Sequence, residues 1–218
     1  MTNLFDTIMA KNRLGKFHFF MGFFKPTKEN SVLDVGVNNS EYMEADNLFE
    51  KKYPFKHKIT CLGIGRLDDF AARYPNIKVI GYDGKIFPFK DNSFDFIWCN
   101  AVIEHVGDKD RQQLFLSEII RVAKKRIFIT TPNKGFPIEA HTHIPLFHWL
   151  PKPFFDWVAI MIGKQWATGN YMHLLYRKDV IMLLENTKKN FLIDYAIYNN
   201  RLLGFTATFS VVINKRDS

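Results

Sequence analysis

The sequence predicts an α/β chain built on a mostly parallel, doubly wound sheet, and three observations carry that prediction. From about residue 30 onward, short runs rich in β-branched and aromatic residues alternate with longer stretches of helical apolar spacing. The first five short runs are apolar nearly throughout, as in parallel strands buried on both faces. The last two alternate apolar with polar residues around a turn, the pattern of an antiparallel hairpin closing one edge. The chain has 218 residues, 47% hydrophobic and 24% charged, which suits a single globular domain.

Taken in order, residues 1–30 are expected to form an N-terminal helical extension, followed by a first strand at Val32–Val35. A helix is expected over Tyr42–Tyr53, a strand at Ile59–Ile64, a helix over Leu67–Tyr74 and a strand at Lys78–Gly81. Each strand run is short and ends near Gly, Asp, Asn or Pro, the residues that break extended structure. The fourth strand is expected at Phe94–Cys99 and the fifth at Arg126–Thr130, joined by a helix over Asp110–Lys124. Leu114, Ile119, Ile120 and Val122 supply that helix's apolar positions, and Lys124, Lys125 and Arg126 complement its C-terminal dipole. Residues 132–176, rich in Pro, His, Trp and Phe, break the rhythm and read as a lid-like insertion within the domain. Phe191–Tyr198 and Phe205–Asn214 are the hairpin strands, bringing the sheet to seven.

Thirty Lys and Arg against 22 Asp and Glu give a net charge of +8, which favours anionic partners. The basic residues, among them Lys51, Lys52, Lys56, Lys58, Lys124, Lys125, Arg126, Lys188 and Lys189, are not interleaved with aromatics, so they read as solvated helix ends rather than a nucleic-acid site. Cys61 and Cys99 lie too far apart in sequence for a CxxC metal pair, and both are expected in the core of a protein from a reducing compartment. Asp6, Lys11, Arg13 and Lys16 interrupt the N-terminal apolar residues, so no signal-peptide core is read there and a cytoplasmic location is expected. Ile144–Ile162 is apolar but broken by Pro145, His148, Pro151, Lys152, Pro153 and Asp156, which excludes a spanning helix and leaves peripheral membrane contact through residues 144–166. Within it, Phe154–Trp166 reads as a lid core, a homodimer contact or an interfacial segment.

Two segments carry the chemistry. Ser31–Ser40 (SVLDVGVNNS) ends a strand at an acid and a glycine, at the carboxyl rim where open α/β sheets bind ligands. Gly81–Val106 ends a strand at Asp83-Gly84, turns through Pro88 and Asp91-Asn92-Ser93, and runs along another strand into Asn100-Ala101 and Glu104-His105. LDVG, then the DG…FPFKDNSFD segment, then AVIEHV, in this order and spacing, resemble a class I S-adenosylmethionine-dependent methyltransferase of the small-molecule branch, the type 11-like group, over roughly residues 30–135. The resemblance implies the Rossmann-like methyltransferase fold, S-adenosylmethionine as cofactor, and methylation of a small molecule, with oxygen or nitrogen favoured as the acceptor atom; the apolar Phe154–Trp166 run with basic residues nearby leaves a lipid-like acceptor open. It implies that Asp34, Gly36, Val37 and Asn38 border the methionine part of the cofactor and that Gly65 stands at the ribose position. It places Asp83 and Gly84 at the adenine, Asn100 and Ala101 at the sulfonium and carboxylate, and His105 on the substrate side.

The sequence departs from this pattern twice. Val37, Asn38, Asn39 and Ser40 replace the later glycines of the first loop. Gly65, or at a shift Gly63, stands where the resemblance implies a ribose-binding acid, with Asp68 or Asp69 as substitutes from the next turn. These departures make a cofactor-silent protein of the same fold, binding a partner or a membrane surface, the alternative reading. No Tyr-x-x-x-Lys pair, phosphate loop, His-Glu-x-x-His or Gly-x-Ser-x-Gly motif points elsewhere. Methylation of oxygen or nitrogen needs a proton acceptor near neutral pH, and His105, His141 and His143 are the candidate bases. No metal is expected, because the histidines of the insertion lack a cysteine or carboxylate partner set.

Overall fold

The computed structural model describes residues 4–138, 146, 149–163, 168 and 172–216. Seven strands form one sheet: β1 (Val32–Val35), β2 (Ile59–Ile64), β3 (Lys78–Tyr82), β4 (Phe94–Asn100), β5 (Ala123–Pro132), β6 (Ile193–Leu202) and β7 (Phe205–Lys215), in the order β3-β2-β1-β4-β5-β7-β6. The first five pair in parallel, while β7 pairs antiparallel with both β5 and β6. The doubly wound, mostly parallel sheet with its antiparallel hairpin is therefore the observed architecture. The helices are α1 (Leu4–Phe24), α2 (Leu48–Lys52), α3 (Asp68–Arg73), α4 (Lys109–Val122), α5 (Lys152–Met161) and α6 (Arg177–Lys188), with a 3-10 turn at Ile103–His105.

Alternation along the buried strands divides the core. Leu33 and Val35 of β1 face α4 and α6, packing with Phe115, Ile119, Leu183 and Leu184. Val32 belongs to the opposite layer, where α1 and α2 bring Phe17, Phe20, Phe24 and Phe49 against Phe96, Trp98 and Phe128. Phe20, fully buried, meets the Trp98 ring nearly edge-on at 5.4 Å between centroids, and Trp98 stacks on Phe49 and Phe128 at 5.0 Å each. Burying each such ring is worth about 1.5–3 kcal/mol, so α1 is part of the core of the fold. Cys61 and Cys99 are buried and free.

Two helices have other bounds than expected. The Tyr42–Tyr53 helix contracts to Leu48–Lys52 because the Asp46 carboxylate accepts the backbone N–H groups of Tyr42 (2.9 Å) and Met43 (3.0 Å), bonds that compete with helical ones. Lys124 and Lys125 open strand β5 rather than closing α4; the α4 carbonyls are capped instead by Lys215 from β7, which donates to Ile120 O and Ala123 O at 2.9 Å each. Glu104-His105 lies on the 3-10 turn. Asn133 bridges Leu175, and Lys134 N donates to Leu175 O at 3.0 Å.

Candidate functional site

Parallel pairing brings the ends of β1, β2, β3 and β4 to one rim, where ligands bind in open α/β sheets. Gly36 stands just past β1 with φ 96°, and a Cβ there would lie 2.2 Å from Val102 Cγ2, so the loops after β1 and β4 meet through a glycine. Gly81 plays the same part in β3: a Cβ would sit 1.9 Å from Gly65 O, because the turn after β2 folds across it. Ala101, directly after β4, holds φ 58°, a left-handed conformation that costs an alanine about 1–2 kcal/mol. Its N–H donates to Thr130 O at 3.0 Å, and the strain sits where the resemblance places the sulfonium.

The residues after Gly36 are tied by side chains. Asn38 N donates to Asn47 Oδ1 (3.2 Å), and Asn47 Nδ2 returns a bond to Asn38 O (3.0 Å). Asn39 Nδ2 donates to Asp69 Oδ2 (2.9 Å), and Phe70 N donates to Asn39 Oδ1 (3.1 Å). Val37 is buried among the α1 and α2 aromatics. Asn38 thus ties this loop to the start of α2, and Asn39 braces it against α3. Asp69 takes part in that brace, and exposed Asp68 pairs with Arg66 at 2.6 Å.

Asp34 is 6% exposed and sits in register with Cys61 and Trp98, pointing into the α2 layer. There Cys61 Sγ donates to Glu50 Oε1 (3.1 Å), and Glu50 is fully buried. Burial, and then the charge and hydrogen bond of Glu50, push the Asp34 carboxyl well above its usual range. Burial, and then Glu50 and Asp34, likewise push the Cys61 thiol up.

On the far side, Gly65 (φ 69°) and Gly84 (φ 82°) flank exposed Asp83, whose Oδ1 accepts Lys85 N at 3.0 Å. Ile64 and Ile86, 64% and 56% exposed, border the same stretch. At the β4 end, Asn100 Oδ1 accepts Thr130 Oγ1 (2.7 Å) and Lys16 Nζ (3.4 Å), while buried Glu104 accepts Thr131 Oγ1 (3.1 Å). Lys16 comes from α1 and is only 8% exposed; burial lowers its ammonium to about 8, opposed by the charge of Glu104.

His105 is half-buried on the 3-10 turn, its N–H donating to Val102 O at 2.8 Å. His173, a histidine of the same insertion that sequence reasoning passed over, is tied there: its N–H donates to Glu104 O (2.7 Å) and its carbonyl accepts Gln112 Nε2 (2.9 Å). The structure therefore gathers Gly36, Ala101, Asn100 and His105 with Lys16 and Glu104 at one part of the rim, and Gly65, Asp83 and Gly84 at another. His141 and His143 lie outside the described residues. Lys16 was hidden from the sequence because only tertiary packing of α1 carries it to β4.

Sheet order and rim together define a class I methyltransferase fold. Residues 33–129 match the family model described as a methyltransferase domain, so the resemblance carried by the LDVG and DNSFD motifs is borne out over this stretch. Among solved structures, an S-adenosylmethionine-dependent methyltransferase from Methanosarcina mazei superposes with a TM-score of 0.51 at 17% identity, covering 87% of this chain and 94% of that one. Magnesium protoporphyrin IX methyltransferase of Synechocystis PCC 6803, solved with S-adenosylhomocysteine, gives 0.59 at 12% identity over 99% of this chain and 89% of that one. The 1,6-didemethyltoxoflavin-N1-methyltransferase of Burkholderia thailandensis, solved with its substrate and S-adenosylhomocysteine, gives 0.59 at 12% identity over 94% and 78%. No curated protein matches the sequence.

Proposed function

We propose that the protein transfers a methyl group from S-adenosylmethionine to oxygen or nitrogen of a small or amphiphilic acceptor. The observation that carries this reading is the division of the rim into an apolar, glycine-lined end at Asp83 and a buried polar end at Asn100. The residues fit the cofactor at both ends. Asp83 would accept the exocyclic amine of the adenine, Gly84 and Gly65 leave its edge open, and Ile64 and Ile86 would cover the ring faces. Lys16 would stand opposite the methionine carboxylate, with Asn100 and strained Ala101 beside it. When bound, the cofactor supplies an electrophilic methyl on a sulfonium, a displacement that depends chiefly on alignment of the acceptor atom. His105 stands on the acceptor side, where its imidazole would take the acceptor's proton; His141 and His143 remain the other candidates.

The ribose is the weak point, because the end of β2 offers Gly65 in place of a carboxylate. Calorimetric titration with S-adenosylhomocysteine, with NAD as control, tests the reading. Micromolar binding of the first alone supports it, and Asp83→Ala should then weaken binding at least tenfold with the melting temperature unchanged. Binding of neither ligand would overturn it in favour of a cofactor-silent interaction protein.

The outer face of α5 supports the amphiphilic part of the proposal. Phe154, Trp157, Ile160 and Met161 are 50–68% exposed there, and Phe154 stacks on Trp157 at 5.6 Å. Among the described residues no helix is long and apolar enough to cross a membrane, so contact through this face would be interfacial. Flotation with anionic vesicles, lost on Trp157→Ser, tests it; association of two copies through the same face would instead give dimers at light scattering.

A further inference from the structure

A recess of about 450 Å³ opens where the start of α6 meets the end of β5 and the hairpin, lined by Asn133, Tyr176, Arg177, Lys178, Asn199 and Thr206, with buried Phe209 beneath. Its mouth is cationic. Lys134 and Lys178 place their ammonium groups 5.4 and 5.8 Å from the Tyr176 ring centre, and Arg177 stands between Tyr176 and Lys178 in sequence. The acid of that turn, Asp179, is already used: it accepts Tyr176 N at 3.0 Å and pairs with Lys109 at 3.4 Å. The wall is fixed, since Asn133 donates to Thr206 O (2.8 Å) and accepts Gly135 N (2.9 Å).

Arg177 and Lys178 occupy the first turn of a 12-residue helix. Cations there oppose the helix dipole, which favours anions, so their placement costs stability in the free protein and strengthens any anion held in the recess. The recess also lies next to the site. Asn133 follows the last residue of β5, and β5 pairs Thr130 with Asn100 of β4. Leu175, at the same bridge, precedes Tyr176 and follows the His173 segment tied to the 3-10 turn of His105.

We propose that this recess binds an anionic group, a carboxylate or a phosphate, and that the acceptor is an acidic molecule held by it. The second clause rests on the methyltransferase reading; the first does not. The test is amide NMR of the full chain titrated with inorganic pyrophosphate, succinate and uncharged succinamide. Saturable shifts are expected at Asn133–Gly135 and Tyr176–Asp179 with pyrophosphate or succinate, half-complete on the order of 1 mM. Which anion saturates assigns the acidic group. Arg177→Gln with Lys178→Gln should weaken that binding at least about fivefold, while raising the melting temperature by about 1–3 °C, a gain that charges serving only the fold would not yield. Shifts equal with succinamide, spread over Lys51-Lys52 and Lys188-Lys189, or unchanged in the double variant would overturn the proposal. S-adenosylhomocysteine titrated into the same samples separates the two readings. Loss of cofactor binding alone sinks the methyltransferase reading and leaves the anion site, whereas loss of the anion response alone sinks the anion site.

Discussion

Asp34 illustrates how one residue carries both fold and chemistry in its protonation state. In the unfolded chain its carboxyl titrates near the ordinary 3.8, while burial beside Glu50 raises it in the fold. Well below pH 3.8 both states hold the proton and its contribution to stability is fully present. As pH rises the unfolded chain releases a proton that the folded chain keeps, so stability falls until the buried group ionises. Asp34→Asn should therefore gain on wild type progressively from pH 4 to pH 8 in urea midpoint; a constant difference across that range would exclude the assignment. Gly65 poses the complementary test at the ribose position. A Cβ there meets nothing within 4 Å, although φ 69° strains any side chain. Gly65→Asp should lose about 1 kcal/mol of stability, because strain acts on free and bound protein alike. The new carboxylate should nevertheless tighten S-adenosylhomocysteine by about tenfold through a charge-assisted hydrogen bond. Gly65→Asn, with the strain but no charge, should show the first effect and little of the second.

Among elements, legibility in the sequence follows how local the determining forces are. β1 and β2 have the bounds read from their apolar runs, because β1 is buried throughout and β2 over most of its length, and both end at a glycine. α2 is shorter than its apolar spacing predicts because the Asp46 carboxylate takes the Tyr42 and Met43 N–H groups and Asn47 holds a left-handed φ of 47°, and α6, between the insertion and the hairpin, has no counterpart among the expected elements. The DNSFD motif was legible as a resemblance, and the structure shows its mechanical work. Arg121 of α4 donates from Nε and Nη2 to the two Glu118 oxygens at 2.7 Å each, and from Nη1 to Asp91 (2.8 Å) and Phe89 O (2.8 Å), clamping the turn between β3 and β4. Asp95 accepts Ser31 N at 3.0 Å and pairs with Lys125 at 2.7 Å, joining the starts of β1, β4 and β5. Burial would raise Glu118, but Arg121 and Phe87 N hold it below its ordinary range. Arg121→Met should cost about 3 kcal/mol, since it leaves the buried Glu118 carboxylate with the Phe87 N–H but no cation. Loss of under 1 kcal/mol by urea unfolding would reduce the clamp to a surface ion pair.

At the scale of the whole molecule, α1 joins the core to the rim. Phe17, Phe20 and Phe24 bury its face in the aromatic layer, and the same packing forces Lys16 to Asn100, where water cannot fully solvate its ammonium. The cost of that burial appears as a lowered proton affinity, to about 8, and it remains only because Phe20 and its neighbours leave the helix no other seat. Unfolded, the lysine keeps its proton up to the ordinary 10.5. Between those values the unfolded chain binds more protons, so the fold gains stability as pH rises from about 8 and the penalty is fully present below it. Ligand binding has the opposite sign, because a methionine carboxylate is attracted to the charged form alone. Affinity for S-adenosylhomocysteine should therefore fall as pH rises through about 8 in wild type. Lys16→Gln should bind more weakly at pH 7 and, with the ligand's own titration common to both proteins, show a shallower decline while melting higher. Parallel pH profiles for the two proteins would remove Lys16 from the cofactor site and leave it as a buried cation of the fold.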